Sequence, residues 1–120
     1  KGIVVCLFLE PDVDQIQKAH SLGCDSVELH TGAYALDWEQ SRTQAIEKHL
    51  SRIEIAVKKG TELGLQMNAG HGLHYQNIRP LAALKGLTEF SIGHSIICRS
   101  LFVGLEKAVR EMADLIREKG

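Results

Sequence analysis

The run "IVVCLFLEPD", Ile3 to Asp12, decides the fold. It begins as a β-branched apolar strand and ends in a turn, "LEPD" (Leu9 to Asp12), that contains no glycine. A doubly wound sheet that binds a nucleotide usually carries glycines in its first strand-to-helix turn, where the backbone must approach phosphate closely. Their absence favours the other parallel α/β architecture, the (β/α)8 barrel.

Three more β-type runs follow: "SVELH" (26–30), "LQMNA" (65–69) and "EFSIG" (89–93), after a first strand at about 3–10. Helical patterns separate them. "DVDQIQKAHSLG" places Val13, Ile16 and Ala19 on one face and stops at Gly23. A long helix is expected over about 38–63, where Ile46, Leu50, Ile53, Val57 and Leu63 recur before Gly64. "NIRPLAALKG" allows a short turn or helix, and "SIICRSLFVGLEKAVREMADLIREKG" reads as one terminal helix. Strand and helix in alternation imply parallel strands joined by right-handed crossovers, with every strand's carboxyl end on one face. "LGCDSVELH" and "LGLQMNAGH" share a glycine, strand, histidine layout, as repeated βα units would. Four such units are half of the roughly 250 residues of a closed barrel. With an opening directly on a strand and a close on a helix, residues 1–120 are expected to form the carboxyl-terminal half of a longer barrel.

Composition narrows the function. A chain of 120 residues, 44% of them hydrophobic, suits one domain with its own core. Fourteen basic residues against fifteen acidic ones leave no phosphate-neutralising excess, which argues against nucleic acid and membrane surfaces as partners. No apolar stretch approaches the about 20 residues of a membrane-spanning helix, so a soluble, cytoplasmic protein is expected. Cys6, Cys24 and Cys98 lack metal-ligand spacing and read as buried, reduced thiols without a catalytic role.

Barrel chemistry sits at strand carboxyl ends. That rim should hold Glu10, then Glu28 with His30, then Asn68 with His71, then Gly93 with His94. The period of a strand puts Glu28 and His30 on one face, and Val27 and Leu29 on the other. A carboxylate inside "SVELH" costs energy unless it is paired or hydrogen-bonded. Glu28 is therefore either catalytic or half of a structural ion pair. His71 stands between Gly70 and Gly72, which would let the backbone come close to a ligand while the imidazole points inward. Imidazoles exchange protons near neutral pH, so His71 is a candidate acid or base. The plainer alternative is a loop histidine bonded to a neighbouring carbonyl. "AGHGL" and "SIGHSII" would be the ends of the seventh and eighth strands, where barrels commonly hold a phosphate with backbone N–H groups and a short extra helix. His94 then reads as a backbone-positioned contact, while His20, His49 and His74 read as solvated. A metal site built from Glu28, His30, His71 and His94 would suit zinc or manganese, but no compact motif such as H-E-x-x-H supports one.

"FLEPDVDQI", "VELHTGAYA", "LGLQMNAGHGLHYQNI" and "FSIGHSIICRSLFVGLEKAVREM" together closely resemble the carboxyl-terminal half of the pyridoxine 5′-phosphate synthase family. The resemblance covers essentially the whole chain. It implies a (β/α)8 barrel that condenses 1-deoxy-D-xylulose 5-phosphate with 3-amino-2-oxopropyl phosphate, releasing phosphate and water, with no metal or organic cofactor. It implies that Glu28 stabilises a transition state and that His71 donates a proton. Gly72, Gly93 and His94 match positions that contact substrate, largely around phosphate. The family's amino-terminal half supplies further bases, none of which lies in these residues. Cys98 and Glu10 depart from the family's usual small residue and aspartate.

Two other readings stand beside this one: a non-catalytic phosphate-binding half-barrel that needs a partner segment, and a metal-dependent barrel isomerase or hydrolase. A homo-oligomer is expected of the whole protein. The four-stranded piece alone, with two unpaired edges, is expected to self-associate.

Overall fold

A computed structural model describes residues 2–118. Its four strands are β1 (Cys6–Leu9), β2 (Ser26–His30), β3 (Gln66–Gly70) and β4 (Leu87–Ser91). They form one parallel sheet in the order β1-β2-β3-β4. Each strand pairs with its neighbour in sequence, as in half of a (β/α)8 barrel. The first helix, α1 (Val13–Ser21), starts on the "LEPD" turn, where the Asp12 carboxylate accepts the Gln15 N–H at 3.0 Å. Aspartate there satisfies one of the donors that every helix start leaves open.

β1 is shorter than its apolar run. Ladder pairing with β2 begins only at Cys6 and Ser26, and Val5 instead donates its N–H to the Asp25 carboxylate at 2.7 Å. β4 ends two residues before the expected Gly93 because its pairing with β3 runs from Leu87 to Ser91.

The helix expected over 38–63 is broken near its start: residues 38 and 39 close α2 (Gly32–Glu39), a helix the apolar spacing does not predict, and the remainder is α3 (Thr43–Glu62). Between them Ser41 takes φ +53°, which no helix accommodates. Asp37 closes this corner, accepting from His49 at 2.8 Å and from Arg42 at 3.2 Å. His49 is thus a structural partner and not a solvated side chain. Beyond β3 lies the short helix α4 (Ile78–Ala82). The single terminal helix also divides, into α5 (His94–Val103) and α6 (Leu105–Arg117), at Gly104. Arg99 on α5 ties the two together through both oxygens of Glu111, at 2.9 and 3.2 Å.

The two faces of the sheet differ. Val27, Leu29 and Met67 point to the helical layer and pack with Ile16, Ile53 and Val57. Gly60 on α3 gives the Met67 thioether its space, since any Cβ there would collide with Sδ. The opposite face carries Phe8, Glu28, His30 and Ser91, none of them fully buried. The three cysteines are free thiols, but contrary to expectation none is fully buried. Cys6 lies exposed on β1, Cys98 is exposed on α5, and only Cys24 is half-buried. Burial, then the nearby Asp25 charge, push the Cys24 thiol above its usual range. Among the described residues no helix is long and apolar enough to cross a membrane.

Candidate active site

The register of the sheet sets His30 beside Gly70 and Gly70 beside Ser91. This row crowns the open face at the carboxyl ends of the strands. Glu28, one pleat below, reaches up into it. Its Oε2 accepts from the Ser91 hydroxyl at 2.5 Å, and its Oε1 lies over Gly70, where a Cβ would collide with it. Gly70 is needed for that space. Among the described residues no cation pairs with Glu28, and the Ser91 hydroxyl is its hydrogen-bond partner.

His71 itself, and not only its glycine neighbours, takes a left-handed backbone, at φ +83°. For a residue with a Cβ that conformation is costly and persists only where surroundings impose it. Thr31 imposes it here. Its buried hydroxyl lies 2.7 Å from the carbonyls of both Gly70 and His71, and its N–H donates to Gly70 at 2.9 Å. The His71 ring then lies against His30, with ring centres 4.8 Å apart. His30 Nδ1 is 2.6 Å from Glu10 Oε1, and the Phe8 ring stands edge-on to it at 5.0 Å.

A cavity of about 770 Å³ opens in front of these groups, lined among others by Glu28, His71, Gly72, Ser91, Gly93 and His94. Gly72 follows His71 at φ +75° and packs on Ala35 with no room for a Cβ. His94 is the first residue of α5, so the helix's opening N–H groups, which have no acceptor within the helix, lie at the cavity. Such a terminus attracts anions, phosphate foremost. Ser95 fastens it by donating to the Leu73 carbonyl at 2.9 Å. His94 Nε2 sits 3.6 Å from Cys98 Sγ, one turn along.

All five residues singled out in the sequence, Glu28, His71, Gly72, Gly93 and His94, therefore meet in one cavity. Asn68 does not join them. It is buried, and its Oδ1 accepts from Thr88 of the neighbouring strand at 2.9 Å and from Gln66 of its own strand at 3.3 Å. His74, read as solvated, instead forms part of the cavity wall. Its Nδ1 accepts the Gln76 N–H at 3.2 Å, while its Nε2 lies 3.0 Å from Glu39 but too poorly aligned for a hydrogen bond. Among the described residues no three His, Cys, Asp or Glu side chains gather as a metal cluster. Thr31 and Ser91 escaped the sequence reading. Ser91 was within reach of it, since the strand period puts it on the face of Glu89 and Gly93.

Sequentially ordered parallel strands, with a carboxylate, an imidazole and a helix start at their carboxyl ends, define a barrel-type α/β protein. The family described as "Pyridoxal phosphate biosynthesis protein PdxJ" matches residues 1–118, and the chain belongs to that family. It is 53% identical over 116 residues to the pyridoxine 5′-phosphate synthase of Geobacter sulfurreducens and 51% identical over 116 residues to that of Geotalea daltonii. Each match covers 97% of this chain and 47% of the relative. The chain thus spans about half the length of the curated relatives it matches.

Proposed function

We propose that the chain is the carboxyl-terminal half of a (β/α)8 barrel that works as a pyridoxine 5′-phosphate synthase, joining 1-deoxy-D-xylulose 5-phosphate to 3-amino-2-oxopropyl phosphate. One observation carries the reading: Glu28, His71 and the start of α5 line a single cavity large enough for a small phosphate ester. The family of the chain, and the name its relatives carry, support the choice of reaction. In this reading the α5 N-terminus with Gly93, His94 and Gly72 holds a substrate phosphate. His71 gives a proton to a departing oxygen. Glu28 holds its negative charge beside the cation that develops as an amine and a carbonyl condense, and Ser91 keeps it in place. The reaction needs no metal or organic cofactor, and the whole protein works in the cytoplasm as a homo-oligomer whose barrel is closed by the amino-terminal half.

The test is His71→Ala in the full-length protein. Positioned proton transfer contributes about 10²–10⁴-fold, so kcat should fall by that order while binding of the phosphate esters stays nearly intact. Turnover near the wild-type rate would overturn the assignment.

A further inference from the structure

His71 is the proposed acid, yet among the described residues its ring has no hydrogen-bond partner. What touches it is the His30 ring on one side and the Gly32 backbone, where an added Cβ would come within 3.1 Å of His71 Cδ2 and 2.8 Å of His30 Nε2. The direction of the His71 ring therefore depends on the direction of His30. His30 is in turn held from two sides. Glu10 takes its Nδ1 at 2.6 Å, and Phe8 meets its plane edge-on, with ring centres 5.0 Å apart and planes at 71°. The backbone of His71 is fixed independently by Thr31, so the remaining freedom is the side-chain torsion, which the His30 ring limits.

We propose that Glu10 and His30 form a positioning pair that aims the His71 ring at the substrate. The inference rests on His71 being the acid of the proposed function. Glu10 accepts the Nδ1–H of His30 and locks the plane of that ring; the locked ring is the wall against which His71 packs. Neither Glu10 nor His30 is required to touch substrate. The pair comes from two different βα units, the ends of β1 and β2, and acts on a residue of a third. A proton donor that swings by even about 1 Å loses up to about a hundredfold in rate, which sets the scale of what such a wall can contribute.

The experiment is steady-state kinetics on the full-length protein carrying Glu10→Gln, Glu10→Asp or His30→Phe, each alone and in a His71→Ala background. His30→Phe keeps an aromatic wall but cannot bond Glu10. Glu10→Gln and His30→Phe should each lower kcat by about tenfold with KM within about twofold, and Glu10→Asp, which keeps the carboxylate, should lose distinctly less. In the His71→Ala background the first two changes should cost less than about twofold more, because residues that act as a unit are not additive. Two results would overturn the proposal: kcat unchanged in Glu10→Gln and His30→Phe, or the same tenfold loss when His71 is already absent. If His71→Ala alone is fully active, the assignment of the acid fails first, which separates that failure from failure of the pair.

Discussion

Asp37 is not among the residues lining the cavity, yet it shows how a single side chain can hold a corner of the chain. The hydrogen bond from His49, aided by Arg42, keeps its carboxyl below the usual range. A carboxyl depressed in the folded state adds stability above its unfolded pKa, and that contribution is lost as pH falls through the folded value. The protein should therefore weaken as the medium is acidified below about pH 4, the ordinary aspartate range. Asp37→Asn, which has no such carboxyl, should show a flatter decline. Urea midpoints across that acid range decide it, and parallel curves for the two proteins would contradict the linkage. At this scale Glu28 and His71 were legible because a strand's period and two flanking glycines are local signals. Thr31 was not. Its hydroxyl bonds carbonyls 39 and 40 residues away, a pairing visible only once β2 lies beside β3.

Elements were read where periodicity is unbroken and misread where a single residue interrupts it. α1, β2 and α3 follow from apolar spacing. The break between α2 and α3 falls on Ser41, a residue type that carries no strong stop signal. The break between α5 and α6 was available in the sequence, since Gly104 interrupts an otherwise continuous helical run. Its backbone, φ +86° and ψ 152°, lies in a region that is essentially reserved to glycine. Gly104→Ala should cost about 1–3 kcal/mol and displace α6, whose buried Ala108 and Met112 pack it onto the core. Denaturant unfolding of the full-length protein measures this, and an unchanged midpoint would show that alanine finds another conformation there. The loss should reach the site only indirectly, through α5 and the Arg99–Glu111 bond.

The whole molecule has a closed side and an open side. Helices cover one face of the sheet, but among the described residues β1 and β4 each lack a second neighbour. Ile3 and Val4 are 77% and 72% exposed beside β1, and Leu101 and Phe102 are 82% and 84% exposed on α5. Apolar groups next to free strand edges favour association. The 120-residue chain prepared alone should therefore sediment at micromolar concentration as a dimer or larger species. A stable monomer that unfolds cooperatively would refute this. Fold class and sheet order were legible at this scale because strand-helix alternation leaves few topologies.

At the rim away from the cavity, α1 and α3 end alike. Gly23 (φ +79°) and Gly64 (φ +80°) each follow the leucine that caps a helix, and the next residue turns back to bond the helix, Cys24 to Ala19 at 3.4 Å and Leu65 to Gly60 at 3.0 Å. Both are the same helix-ending motif, after which each chain enters a strand that delivers a site residue at its far end. Selection can thus act on the two rims separately. Substitutions at these matching turns alter how firmly each βα unit is built, while substitutions at the opposite loops alter what it recognises, so a lineage can drift in one without forfeiting the other.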